Sequence, residues 1–152
     1  MIQYETLIPC TAAAVIEIID YYNIEVEGKD AIVIGRSNIV GKPVSILLQQ
    51  KNATVTMCHS RTSNLRKHLK NADIVISAVG KAEFIKGDML KKDSVVIDVG
   101  TNFVDGKLLG DIEFESAKSV VSKITPVPGG VGTVTTKMLM RNIIKSFEEQ
   151  KI

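Results

Sequence analysis

The chain has 152 residues, 45% of them hydrophobic and 24% charged, the balance of a single globular domain with a real core. A formal net charge of +2 argues against nucleic acid or an anionic membrane surface as a partner, and no uncharged apolar run approaches the ~20 residues that cross a bilayer. Cys10 and Cys58 lie far apart, with no C-x-x-C and no His at metal spacing, and no signal-peptide pattern opens the chain. The expectation is therefore a cytoplasmic protein with two structural thiols and no metal site.

In chain order, Thr11 is the predicted N-cap of a helix carrying Val15, Ile18, Ile19 and Tyr22 on one face. Ala31-Ile32-Val33-Ile34 then reads as a strand, and Gly35-Arg36-Ser37-Asn38-Ile39-Val40-Gly41-Lys42-Pro43 as a glycine turn opening a helix that runs to Lys51. Gly35 supplies a tight turn, Gly41 lets the helix lie close to the strand, and Pro43 suits a first helical turn. Unpaired N–H groups at such a helix start form an anion site that a pyrophosphate can occupy. The plain alternative is an ordinary strand-to-helix turn, since Ser37 stands where G-x-G-x-x-G has its middle glycine.

Further strands are predicted from Ala53 to Cys58, Ile74 to Val79 and Val95 to Val99. Helical patterns run from Ser63 to Asn71, around Lys86 to Leu90, and from Glu113 to Val121. Asp105-Gly106 marks a small hairpin turn, and a last helix covers roughly residues 134 to 150. Strands nearly continuous in Val, Ile and Ala suit a parallel sheet covered on both sides. The fold class that follows is α/β: a Rossmann-like, doubly wound, mostly parallel sheet with helices on both faces, one domain over residues 1–152.

In such a sheet the end of the second strand approaches the adenosine ribose, and a carboxylate there marks NAD. This chain offers His59-Ser60-Arg61-Thr62 instead, with Arg36 as a second cation, which favours NADP over NAD. The alternative for Arg36 and Arg61 is solvated surface charge. For His59 it is a hydrogen-bonded structural residue, and His68 reads as simply solvated. Gly80 and Gly100 each end a strand and permit close backbone approach to a nicotinamide or ribose. Asp98 has two candidate roles, a catalytic acid or a carboxylate binding neighbouring backbone N–H groups. Pro126-Val127-Pro128-Gly129-Gly130-Val131-Gly132 makes a stiff, bare backbone wall, or else merely a rigid loop before the last helix.

Pro9-Cys10-Thr11, Gly35 to Pro43, Ala53 to Thr56 with Cys58-His59-Ser60, Val96 to Gly100, Gly110-Asp111 and Ile124 to Gly132 occur in the order of one family. Together they closely resemble the NADP-binding domain of bifunctional methylenetetrahydrofolate dehydrogenase/methenyltetrahydrofolate cyclohydrolase, over nearly the whole chain. The resemblance implies that Gly35, Arg36 and Ser37 cradle the cofactor phosphates and that Ser60 sits near the 2′-phosphate beside Arg61. It also places Thr101 toward the nicotinamide, counts Thr135 among the cofactor contacts, and makes Pro128, Gly129, Gly130, Val131 and Gly132 a wall against folate. Ala12 and Ala14 stand where the family usually has Pro and Gly, Thr101 where it has Ile, and Thr133-Val134 where it has Pro-Met.

Family enzymes carry a preceding domain that holds a Tyr-x-x-x-Lys pair. Here Tyr4, Tyr21 and Tyr22 are followed four positions on by Ile8, Glu25 and Val26. No catalytic residue is therefore assigned, and cofactor binding without turnover is expected, with the tetrahydrofolate derivative engaged together with that absent domain. Apolar faces on the Thr11 to Tyr22 helix and on the last helix, with Met138, Leu139, Met140, Ile143, Ile144 and Phe147, are expected to lose cover. Either a homodimer forms through them or the last helix docks on its own domain. The alternatives are the cofactor domain of a shikimate-dehydrogenase-like enzyme, suggested by Ser60-Arg61-Thr62 near Arg66, and a non-catalytic nucleotide-binding or interaction module.

Overall fold

The computed structural model describes residues 7–150; Tyr4 lies outside the described residues. Helices and strands alternate as α1 (Cys10–Tyr21), β1 (Asp30–Ile34), α2 (Gly41–Gln50), β2 (Thr54–Cys58), α3 (Leu65–Leu69), β3 (Ile74–Ser77) and β4 (Val95–Asp98). The hairpin β5 (Asn102–Val104) and β6 (Lys107–Leu109) follows, then α4 (Phe114–Lys118), β7 (Lys123–Ile124) and α5 (Val131–Glu149). Apart from the hairpin, the strands form one parallel sheet in the order β2-β1-β3-β4-β7.

Period-two alternation in the strands feeds two cores. Ala31, Val33, Ile74, Ile76 and Ile97 meet Val15 and Ile19 of α1, Val44 and Leu48 of α2, and Met138 of α5. Ile32, Ile34, Val75 and Val96 point the other way, onto Leu69 of α3, Ala117 of α4, and Ile85 and Leu90. Burial on both faces explains the uninterrupted apolar runs. Because β1 sits between β2 and β3, the chain leaves it on one side and returns past it on the other. The resulting switch point lies at the carboxyl end of β1, where open α/β sheets bind ligands.

Several boundaries differ from expectation, each for a local reason. Pro9, not Thr11, precedes α1, and no side chain caps that helix. Tyr22 is the residue after the helix and is 59% exposed, whereas Val15, Ile18 and Ile19 are buried, so this face of α1 keeps its cover. The Ser63 to Asn71 pattern shrinks to Leu65–Leu69 because Asn64, at φ 49°, takes a left-handed turn and its Oδ1 accepts from the Lys67 N–H. Lys86 to Leu90 yields only a 3₁₀ turn over Gly87–Met89. The predicted hairpin forms with Asp105 at φ 48° and Gly106 at φ 76°, the positive pair a type I′ turn needs. β7 was not anticipated; it pairs with β4 through Val95↔Lys123 and Val96↔Ile124.

α5 begins at Val131 rather than near residue 134 and docks on its own domain through Val131, Val134 and Met138. Lys137 reaches Glu17 at 2.9 Å, and the Asn142 side chain donates to the Ile8 carbonyl at 2.9 Å. Its other side presents Leu139, Met140, Ile143, Ile144 and Phe147, all 49–61% exposed.

Candidate functional site

Register brings the strand ends into one row. Cys58 pairs with Ile34, Ile34 with Ser77, and Ser77 with Asp98, so four loops leave the carboxyl edge side by side. Gly35-Arg36-Ser37 follows β1, His59-Ser60-Arg61 follows β2, Gly80 lies beyond β3, and Gly100-Thr101 follow β4. The expected cofactor positions other than Thr135 therefore share one edge, which spacing alone could not guarantee.

Gly35 is where the first loops touch. Its N–H donates to the Cys58 carbonyl at 2.9 Å, its φ is +120°, and a Cβ there would lie 2.4 Å from the Ala78 carbonyl oxygen. A Cβ on Gly41 would come within 2.1 Å of the Gly35 carbonyl oxygen, so α2 can start against the turn only with glycine at that position. The Ser37 hydroxyl oxygen accepts from the N–H groups of Val40 (3.1 Å) and Gly41 (3.4 Å). Those bonds leave its proton to donate outward. Arg36 is exposed and has no partner among the described residues.

His59 is a turn-former. Its Nδ1 accepts from the Arg61 N–H at 3.2 Å, its own N–H donates to Thr62 Oγ1 at 2.8 Å, and its carbonyl accepts from the Thr62 N–H at 2.8 Å. The turn presents Ser60 and Arg61 to solvent, and no acidic residue occurs in sequence between Cys58 and Asp73. Arg66, by contrast, places its guanidinium on the Asp88 carboxylate (2.8 Å) and carbonyl (3.0 Å) rather than on the Ser60-Arg61-Thr62 turn. Burial pushes the Cys58 thiol above its ordinary value, against a smaller opposing hydrogen bond with Thr62, which suits a structural role.

A cavity of about 410 Å³ opens beside this edge. Gly100, Thr101, Pro128, Gly129, Gly130, Val131, Gly132 and Thr135 all line it, together with Thr11, Leu108 and Thr133, which sequence reasoning had not assigned. Gly35, Arg36, Ser37, Ser60, Arg61 and Gly80 lie outside its lining, on the neighbouring loops. One wall is the first turn of α5, whose Val131 and Gly132 N–H groups precede the helical ladder at the positive end of the helix and have no partner among the described residues. The wall can sit there because Gly130 lacks a Cβ, which would stand 2.3 Å from the Pro126 carbonyl oxygen. Thr135 donates its hydroxyl proton back to the Val131 carbonyl at 2.9 Å and keeps its oxygen to accept.

Asp98 resolves toward the structural alternative. One carboxylate oxygen accepts from the N–H groups of Gly100 (2.9 Å) and Asp111 (3.1 Å), the other from Ile112 (2.8 Å). Burial raises it to about 6; those three bonds pull downward and the nearby Asp111 carboxylate adds to the rise. Among the described residues no cluster of His, Cys, Asp and Glu could hold a metal ion, and no helix is long and apolar enough to cross a membrane.

A sequence profile described as tetrahydrofolate dehydrogenase/cyclohydrolase, NAD(P)-binding domain, matches residues 9–151. The bifunctional protein FolD of Dictyoglomus thermophilum is 54% identical over 143 residues, covering 94% of this chain and 50% of that protein. The FolD of Bacillus subtilis is 55% identical over 143 residues, covering 93% of this chain and 50% of that protein. The crystal structure of the bifunctional FolD dehydrogenase/cyclohydrolase of Campylobacter jejuni superimposes with a TM-score of 0.94 at 42% identity, over 96% of this chain and 52% of that one. The Trypanosoma brucei dehydrogenase-cyclohydrolase, complexed with NADP cofactor and inhibitor, gives 0.89 at 41% identity, over 94% and 51%. The chain thus spans about half the length of the relatives it matches.

Proposed function

This chain belongs to the tetrahydrofolate dehydrogenase/cyclohydrolase family through its NAD(P)-binding domain, and from that premise we propose that it binds NADP for a methylenetetrahydrofolate dehydrogenase/cyclohydrolase. The observation that carries the proposal is the row of loops at the carboxyl edge, with cations and no carboxylate at the ribose end. The residues fit such a cofactor. Gly35 and Gly41 leave a backbone cradle that a Cβ would fill. The Ser37 hydroxyl proton and the Arg36 guanidinium serve the pyrophosphate or the 2′-phosphate, and Ser60 and Arg61 serve the 2′-phosphate. Gly80, Gly100, Thr101 and Thr135 hold the nicotinamide half, and Pro128, Gly129, Gly130, Val131 and Gly132 make the wall toward the folate.

When bound, NADP supplies a hydride acceptor, and this domain orients it while excluding water from the cavity side. Electrophile-polarising and acid–base groups are not offered by these residues: the chain contains no Tyr-x-x-x-Lys pair, and both Asp98 oxygens are committed to backbone N–H groups. Binding without turnover is therefore expected of residues 1–152, with hydride transfer and methenyl hydrolysis belonging to the domain in company with a second one. Two unpaired cysteines, Cys10 and Cys58, support a reducing cytoplasmic setting. The exposed Leu139, Met140, Ile143, Ile144 and Phe147 side of α5 supports a homodimer through that helix.

Calorimetric titration tests the assignment. A hydrogen bond to a charged group contributes ~1.5–3 kcal/mol, so Arg36→Ala should weaken NADP by roughly one to two decades and NAD much less. Equal losses for both cofactors would overturn the 2′-phosphate role. Ordinary turnover of methylenetetrahydrofolate by the purified chain would overturn the expected silence.

A further inference from the structure

Asp98 and Asp111 are the most deeply buried acids near the site, at 3% and 0% exposure. Asp111 follows the hairpin, yet its carboxylate grips the end of β3 and the loop beyond. One oxygen accepts from Ser77 Oγ (3.1 Å) and from the N–H groups of Val79 (2.6 Å) and Gly80 (3.3 Å). The other accepts from the Lys81 N–H (3.0 Å) and the Asn102 side-chain amide (3.0 Å). Asp98 in turn holds the main chain of Asp111 and Ile112, and closes on Gly100. The two acids form a relay: Asp98 fixes the backbone that carries Asp111, and Asp111 fixes the backbone beyond β3.

Two glycines exist to admit them. A Cβ on Gly100 would lie 2.2 Å from the Asp111 carboxyl carbon, and one on Gly110 would lie 2.0 Å from an Asp98 oxygen. No Lys or Arg side chain pairs with either acid among the described residues. Buried ionic groups are poor sources of net stability, since well-packed apolar side chains often do as well or better. What an acceptor-only carboxylate provides, and an apolar side chain cannot, is a fixed direction for several backbone N–H groups at once.

We propose that Asp111, locked by Asp98, is a positioning residue for the cofactor: it sets the loops after β3 and β4 in the one arrangement that receives the nicotinamide half. Asp111 touches no ligand in this role; it acts through Gly80 and Lys81 after β3 and through Asn102 after β4, while Asp98 holds Gly100. The proposal rests on the cofactor assignment above, and its test separates the two halves of the dinucleotide. Adenosine 2′,5′-bisphosphate needs only the Gly35–Ser37 turn and the Ser60–Arg61 loop, neither of which Asp111 contacts.

The test is calorimetric titration of the full chain and of Asp111→Asn with NADP and, separately, with adenosine 2′,5′-bisphosphate, alongside hydrogen exchange of the Val79, Gly80 and Lys81 amides. Asparagine keeps the shape but turns an N–H₂ toward one set of donors. The expected result is NADP weakened by about tenfold, the bisphosphate changed by less than about twofold, and faster exchange at those amides. A merely structural residue would leave both affinities unchanged in the folded chain, and that result overturns the proposal. So would equal weakening of both ligands. Should Asp111→Asn fail to fold, Ser77→Ala removes one bond to the same carboxylate with little change of volume. It should weaken NADP by about threefold and spare the bisphosphate, and an unchanged NADP affinity would sink the idea. A wild-type chain that binds neither ligand would instead refute the cofactor assignment itself.

Discussion

One substitution at two helix starts should move stability in opposite directions. Gly41 and Gly132 each lie in the first turn of a helix, α2 and α5, and glycine there concedes up to ~1 kcal/mol of helix propensity to alanine. At Gly132 nothing stands within 4 Å of the added Cβ, so Gly132→Ala should stabilise by ~0.5–1 kcal/mol. At Gly41 the Cβ would meet the Gly35 carbonyl oxygen at 2.1 Å and its carbon at 2.6 Å. Relief needs a shift of about 1 Å, and α2 resists it because Val44 and Leu48 are at 0% exposure in the core. Overpacking of this kind costs ~1–3 kcal/mol, which offsets a propensity gain of up to ~1 kcal/mol and leaves Gly41→Ala as much as about 2 kcal/mol less stable than the parent. Urea unfolding followed by circular dichroism, with a slope of ~1–3 kcal/mol per M, should separate the two midpoints by roughly 1 M. Equal midpoints would refute the claim that Gly41 is required by contact with the turn. A Gly41→Ala protein that also kept full affinity for adenosine 2′,5′-bisphosphate would detach that contact from the anion site.

Asp98, ordinarily near 3.8, titrates at about 6 in the folded chain. The native state therefore holds its proton more tightly, and this stabilising contribution is complete below pH ~4 and lost as pH rises through about 6. About two pH units correspond to roughly 3 kcal/mol. Asp73, held below its ordinary range chiefly by Lys91, slopes the opposite way at lower pH. The clean measurement is thus wild type against Asp98→Asn: the variant should lose the fall in stability between pH 4 and 6.5, and identical profiles would refute the assignment. The α5 face is tested by Ile143→Glu with Phe147→Glu, two positions 56% and 60% exposed, so the fold should survive. Sedimentation across a concentration series should show association in the parent and its loss in the double variant; unchanged association would place any dimer contact elsewhere.

The central strands were legible because sheet burial on both faces leaves little choice of residue. Ala31 to Ile34, Ile74 to Ser77 and Val95 to Asp98 are nearly continuous in aliphatic residues and fill two cores by alternation. The hairpin was legible for a different reason: Asp105-Gly106 meets the positive φ demand of its turn. β7 was not legible, since Lys123-Ile124 has no pattern of its own and becomes a strand only because β4 offers an open edge. The start of α5 was hidden by glycine. Gly129-Gly130-Val131-Gly132 has poor helix propensity, yet Gly130 is needed where the chain passes the Pro126 carbonyl, and the helix must begin directly after it.

At the site, the residues proposed to touch a ligand have a sequence signature, and those that hold their loops in place have almost none. The Gly35 turn and the Ser60-Arg61 loop are local, so their chemistry sits in consecutive residues. The coupling of Asp98 to Asp111 spans 13 positions and is made of backbone N–H groups, which carry no sequence signature. Even so, a trace was present: Gly100 stands two residues after Asp98, and Gly110 one residue before Asp111. Each glycine is emptied of a side chain by the other's carboxylate, so the reciprocal spacing D-x-G and G-D records two backbones crossing at contact distance. Any substitution that fills one glycine must therefore displace the opposite acid, and with it a loop of the cavity or of the β3 end.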